Sequence, residues 1–343
     1  MNIPDYLTAW LLQAYRRPRS FLLGLVALPL LVVLLVTYGV NVSLVRQQSL
    51  HNLHVTARLA AEIVHETLNE TFRFEQLLIS QPGFAQAAQR RDGAQLTQRL
   101  DEALRFIPRA DLAMVVSPEG EVVASSSSRP ELVGRRVAQE EPFVGAQQRG
   151  WRPYLSAVYL REGPQIEKVV GAVWPVTDGD AVVGLLQVQH RVEEIKSWLQ
   201  KIRVDPDGFI YVVDHRDQLV VYPFQVLPGR PRVVSSWPPV ARTVTDSGGT
   251  LVFLSERNHR RWLAGIHPVG TTGWRVVAVQ PEGAALRTFH RVFGVLALLV
   301  VILLLAVMAV SLRWAQLHAF SLELMHQNAK LLRQGQQRRM EGR

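Results

Sequence analysis

No cysteine occurs in the 343 residues. That excludes disulfide staples and thiolate metal centres, and it leaves stability to packing. Charge is missing from two stretches, SFLLGLVALPLLVVLLVTYGVNVSLV (Ser20 to Val45) and VFGVLALLVVILLLAVMAVSL (Val292 to Leu312). A helix crosses a bilayer core with about 20 apolar residues, so both stretches are long enough. The first also exceeds the ~7–15 apolar residues of a secretory signal, and TYGVNVSL offers no small-x-small cleavage site. A retained anchor is therefore expected, with Pro29 as a tolerated kink. Catalytic motifs are missing too: there is no Gly-x-Ser-x-Gly, Walker loop, His-Glu-x-x-His or dinucleotide glycine fingerprint. No catalytic residue, no cofactor and no enzyme activity are expected. DPDG (Asp205 to Gly208) lacks the further ligands of a calcium loop, and His51, His54 and His65 read as a solvated helix face, so no metal site is expected either.

What is present begins with charge placement. The formal charge is +9, which invites nucleic acid as a partner, but its distribution decides otherwise. Nine basic residues (Arg16, Arg17, Arg19, Arg313, Lys330, Arg333, Arg338, Arg339, Arg343) stand outside the two apolar stretches against Asp5, Glu323 and Glu341. The region between the stretches is nearly balanced. By the positive-inside rule both termini are cytoplasmic, and nucleic-acid binding is not expected.

Over the whole chain, an apolar share of 48% in 343 residues suffices for two or three packed units. Apolar or small residues at Leu50, Leu53, Ala57, Ala60, Val64, Thr67, Thr71, Phe74 and Leu78 predict one seam of a long helix, packing on the domain behind it or on a second copy. Two segment pairs then repeat at a near-constant offset. AMVVSPEGEVVAS (from Ala113) matches IYVVDHRDQLVVYP (from Ile210), and GAVWPVTDGDAVVGLLQVQ (from Gly171) matches AGIHPVGTTGWRVVAVQ (from Ala264). The pattern predicts a duplicated α+β module of antiparallel strands. RVEEIKSWLQKI (Arg191 to Ile202) is an amphipathic helix leading to the boundary. Beyond the second stretch, Leu317, Phe320, Leu324 and Leu331 fit a weak heptad broken at Gln327. His318 and His326 lack a kinase phosphoacceptor pattern, and the tail is too short for a catalytic domain.

A duplicated α+β domain between two spans resembles the double Cache (dCache) sensor ectodomain of bacterial chemoreceptors, sensor histidine kinases and diguanylate cyclases. The residues that carry it are the long helix, LVGRRVAQEEPFVGAQQRGWRPYLSAVY, VVGAVWPVTDGDAVVGLLQVQHRVEEI, DGFIYVVDHRDQLVVYP and AGIHPVGTTGWRVVAVQ. The resemblance implies an α+β fold of two tandem PAS-like modules on a long N-terminal helix, flanked by two transmembrane helices. The expected organisation is a cytoplasmic N-terminus (1–19), a first transmembrane helix (20–43), the long helix with a following helix (44–109), a membrane-distal module (110–204), a membrane-proximal module (205–281), a connecting helix (282–291), a second transmembrane helix (292–312) and a cytoplasmic helical tail (313–343).

The resemblance also places a ligand in the distal module. In the amino-acid-sensing type, the places of the Arg-x-Trp-aromatic element hold Glu140, Pro142 and Phe143 here. Tyr154 keeps the tyrosine of the next strand, Ser156 replaces its aspartate, and Gln189 replaces the closing aspartate. An α-amino acid would then find no paired charges. The expected lining is Glu140, Phe143, Trp151, Tyr154, Tyr159, Trp174 and Gln189, suited to an apolar, neutral or cationic small molecule unless Arg152 points inward. The same aromatics serve equally as plain core. The implied function is a two-pass sensor of the bacterial inner membrane, homodimeric, with its sensor domain periplasmic. It would signal a small molecule of unknown identity to a separate cytoplasmic kinase, cyclase or chemotaxis component. The alternative is a non-sensing periplasmic interaction or scaffolding subunit with a degenerate pocket.

Overall fold

The computed structural model describes residues 18–107, 110–161, 166–199, 202–204, 207–224, 230–242, 247–255, 259–310 and 312–313, with side chains from residue 27. Residues 1–17, the tail 314–343 with its expected heptad, His318 and His326, and Asp205 and Pro206 of the boundary turn lie outside them. The chain divides into two compact units: Arg46–Ala285, and the flanking stretches up to Val45 and from Leu286.

Helix α1 (Pro18–Ile79) runs for 62 residues. From Arg46 onward it buries Leu53, Ala57, Ala60, Val64, Leu68, Thr71, Glu75 and Leu78. An α-helix advances 3.6 residues per turn rather than 3.5. The buried stripe accordingly slips off the expected seam at Thr67 and Phe74, which are half-exposed, onto Leu68 and Glu75. The small residues have a purpose in packing: a Cβ at Gly265 would lie 2.3 Å from the Leu53 carbonyl carbon. Only a glycine there lets the helix backbone rest directly on the strand beneath.

Helices α2 (Phe84–Gln89) and α3 (Gly93–Leu104) follow; Asp92 caps α3 by accepting a hydrogen bond from the Gln95 amide at 3.1 Å. The α3 face of Leu96, Leu100 and Ala103 packs on Ala113, Val115, Leu186 and Val188 of the first sheet. That sheet comprises β1 (Leu112–Val116), β2 (Val122–Ser125), β3 (Tyr154–Leu155), β4 (Tyr159–Arg161), β5 (Glu167–Asp178) and β6 (Ala181–Arg191). Its order is β2-β1-β6-β5-β3, with β4 also on β5. Helix α4 (Glu141–Gln148) lies between β2 and β3 in sequence and covers the sheet's other face.

After α5 (Val192–Leu199) the plan repeats. The second sheet has β7 (Phe209–Val213), β8 (Leu219–Val221), β9 (Gly249–Leu254), β10 (Arg261–Pro268) and β11 (Arg275–Pro281). Short α6 (Pro238–Ala241) precedes β9, and α7 (Glu282–Ala285) follows β11. The order β8-β7-β11-β10-β9 matches the first sheet position for position, and all pairings are antiparallel. Each x-Pro-Val strand and its β-branched partner form the same hairpin, β5–β6 in one module and β10–β11 in the other. Alternation along these strands gives each sheet two buried faces, the inner one against helices and the outer one under its own cover. Leu155 and Val158 of the first module share a core with Val212 and Val220 of the second.

In the flanking unit, two helices among the described residues are long and apolar enough to cross a membrane: the early part of α1, and α8 (Arg287–Val310). They meet around Tyr38, whose ring lies 4.9 Å from that of Phe293 and 5.7 Å from that of Phe289.

Candidate functional site

The outer face of the first sheet is supplied by Leu112 and Met114 from β1, Val122 from β2, Tyr154 from β3, Val173 from β5 and Leu185 from β6. Period two continues that face along β6 through Gln187 and Gln189, both buried. A buried amide is costly unless bonded, and both find partners. Gln187 Nε2 donates to the Tyr159 hydroxyl at 2.9 Å. Arg161 donates to Gln189 Oε1 at 3.0 Å and also holds Asp111 and Glu167. Burial alone would weaken the guanidinium's charge, but its bonds to Glu167 and Asp111 prevail and raise its pKa above the ordinary value. Burial, with the negative charge of Glu140 next, pushes the Tyr159 phenol well above 10.0. It therefore acts as a neutral hydroxyl.

The cover comes from α4, which Glu140 precedes and which buries Pro142, Phe143 and Ala146. Phe143 meets Trp151 edge to face with centroids 5.4 Å apart. A Cβ at Gly145 would sit 2.1 Å from the Tyr154 ring, so this glycine admits the tyrosine beneath the helix. The Tyr154 hydroxyl donates to Glu141 Oε1 at 2.6 Å and lies 3.1 Å from His215 Nε2. Burial raises the pKa of Glu141 against the pull of the Tyr154 bond, and lowers that of His215. Ser156 is buried as a backbone clip, accepting from the Gly171 amide at 2.7 Å and donating to the Ala157 carbonyl at 2.8 Å.

The second sheet supplies an internal control. Val173 pairs with Gln187 and Gly171 with Gln189; at the same steps of the repeated hairpin, Ile266 pairs with Val277 and Ala264 with Val279. The two modules share backbone and register, but at these two positions the first carries amides and the second carries valines. A Cache domain family model of the double type matches residues 42–289. The chain belongs to the Cache domain family.

Solved Cache-type structures share the fold. The ligand-binding domain of the Pseudomonas aeruginosa PAO1 amino acid chemoreceptor PctB, in complex with L-Arg, is 15% identical with a TM-score of 0.56, covering 70% of this chain and 98% of that one. That of the Campylobacter jejuni chemoreceptor Tlp3, in complex with L-valine, is 13% identical with a TM-score of 0.54, covering 71% and 97%. The extracellular domain of mmHK1S-Z2, described as a histidine kinase, is 13% identical with a TM-score of 0.53, covering 71% and 99%. No curated protein sequence matches.

Within the first Cache module, Glu140, Phe143, Trp151, Tyr154, Tyr159 and Gln189 all border the outer face or its α4 cover. Trp174 does not join them. As the neighbour of outward Val173 it alternates to the inner face, its ring 6.2 Å from that of Phe72 on α1. Arg152 is exposed rather than inward, and Arg161 is buried instead. Sequence reasoning passed over Glu141, Arg161, Gln187 and His215. For Gln187 a signal was legible, since LLQVQ sets two amides in alternation within an otherwise apolar strand. For His215 there was none, because Tyr154 stands 61 positions away, and for Arg161 only the local Glu167 was near, its partners Gln189 and Asp111 standing 28 and 50 positions away. Among the described residues, no group of three or more His, Cys, Asp or Glu could hold a metal ion.

Proposed function

We propose that this Cache protein is a two-pass membrane sensor whose first module is membrane-distal and binds a small molecule outside the cytoplasm. The observation that carries the reading is the Gln187 and Gln189 pair where the duplicated module has Val277 and Val279. Packing alone is met by valine, and two buried amides on one copy of a repeated face suit recognition. PctB and Tlp3, which share this fold, were solved in complex with α-amino acids, L-Arg and L-valine respectively. Here the corresponding places hold Glu140, Pro142, Ser156 and Gln189, and the one guanidinium buried among the described residues, that of Arg161, is already neutralised by Asp111 and Glu167. The favoured ligand is neutral or cationic, taken up by hydrogen bonds and aromatic faces.

Spans at 20–43 and 292–312, with cytoplasmic ends, would carry occupancy to a separate kinase, cyclase or chemotaxis component. Exposed Val55, Leu59 and Ile63 form an i, i+4 stripe on α1 that suits pairing with a second copy. Coupling of this kind requires the ligand to prefer one of two packings. The experiment is a thermal-unfolding screen of the full-length protein in nanodiscs against a panel of amines, polyols, carboxylates, purines and L-amino acids. An amine, polyol or purine that stabilises it while L-arginine and L-valine do not is the expected outcome. Stabilisation by an unmodified L-amino acid would overturn the ligand class, and silence across a comprehensive panel would favour a scaffolding subunit.

A further inference from the structure

Three consecutive residues of the second module reach three separate places in the first. Asp214, buried, accepts from the Val158 amide through Oδ2 at 2.9 Å. His215 Nε2 lies 3.1 Å from the Tyr154 hydroxyl, with the two rings edge to face at 5.8 Å. Arg216 pairs with Glu141 Oε1 at 3.1 Å. The turn is itself fixed, because Asp214 Oδ1 accepts from the amides of Arg216 at 2.8 Å and Gln218 at 2.9 Å.

The proton count orders these contacts. Tyr154 has one hydroxyl hydrogen, and the 2.6 Å bond to Glu141 uses it. Its oxygen therefore accepts from His215 Nε2–H, which leaves Nδ1 bare; that atom is buried and has no hydrogen-bond partner among the described residues. Arg149 closes the other side of the tyrosine, its guanidinium 4.9 Å from the ring centroid. Tyr154 and Glu141 thus belong at once to the candidate ligand site, as β3 and the first turn of α4, and to the joint between modules.

We infer that the distal site is composite: His215 and Arg216 of the second module hold Tyr154 and Glu141 in its wall, so that movement of α4 at the site is read directly by the β7–β8 turn. This rests on the sensor reading above and assigns that site its readout. Neither residue is expected to touch ligand; both are positioning residues.

The test is hydrogen–deuterium exchange on the full-length protein in nanodiscs, and it needs no ligand. His215→Gln combined with Arg216→Ala should raise exchange at least fivefold across residues 141–148 and 154–159, in the other module. Tyr154→Phe, which keeps the ring, should in turn raise it across 214–218, and Arg216→Lys should restore most of the α4 protection. Val277→Ala, on the far face of the second sheet, should lower stability without altering α4; it separates coupling from general loosening. If the His215/Arg216 variant loosens only 214–218, or Val277→Ala reproduces its pattern, the inference is wrong. The sensor reading would survive that result, since it fails only on the ligand panel.

Discussion

Glu75 is the most unexpected side chain in the molecule. It lies fully buried, and among the described residues neither carboxylate oxygen has a hydrogen-bond partner of normal geometry. One turn earlier, Thr71 Oγ1 and His190 Nε2 are 3.0 Å apart. Burial pushes the Glu75 carboxyl well above its ordinary value of 4.5, against a weaker pull from the Val188 backbone. A carboxyl whose folded pKa exceeds its unfolded one binds more protons when folded. Its contribution is complete below about pH 4.5 and is lost as pH rises through the folded value. Glu75→Gln should therefore flatten the fall in stability with rising pH, read from urea midpoints between pH 5 and 8. An unchanged slope in the variant would show that Glu75 is not the group responsible. The sequence placed Phe74 in this seam because three-four spacing and hydrophobicity agreed there. A helix of 3.6 residues per turn brought its acidic neighbour inward instead.

Elements were the most legible level. Alternation and the repeated Pro-Val hairpin point to two antiparallel sheets, and the matching strand orders of those sheets reflect the same duplication. Local pattern reveals strand partners when they lie within a hairpin or recur in a copy. It says nothing of α1 on β10, where Gly265 meets the Leu53 carbonyl across more than 200 positions, and the strand letters AGIHP give no hint of the contact. Gly265→Ala has no room for its methyl unless the helix shifts. It should cost about 1–3 kcal/mol, the usual range for overpacking, measured as a lowered urea midpoint with an unchanged slope. Gly249, on the same sheet with no described residue within 4 Å of where a Cβ would stand, should tolerate alanine. Equal costs at the two sites would contradict the close approach. The α4 cover and the Asp214–Arg216 turn were illegible for the same reason, since HRDQ reads locally as a hairpin turn and its partners are in another module.

At the scale of the whole molecule, the apolar helices and the basic ends argue for a protein whose Cache domain faces away from the cytoplasm. Alkaline phosphatase fused after Gly208 should be active and fused after Arg343 inactive; the reverse pattern would invert the topology. The central claim is narrower, that the first module and not its copy recognises the ligand. The most direct measurement is thermal stabilisation of the full-length protein and of the double variant Tyr159→Phe, Gln187→Val by whichever panel compound binds. That exchange replaces both partners of one buried hydrogen bond by apolar groups, a change that can be nearly neutral for folding, and it gives the distal face the valine that the second module has at Val277. At 100 times its dissociation constant a ligand stabilises by about 2.7 kcal/mol. The account predicts that this stabilisation is lost in the double variant while the variant still unfolds cooperatively, and stabilisation of equal size in both proteins would contradict it.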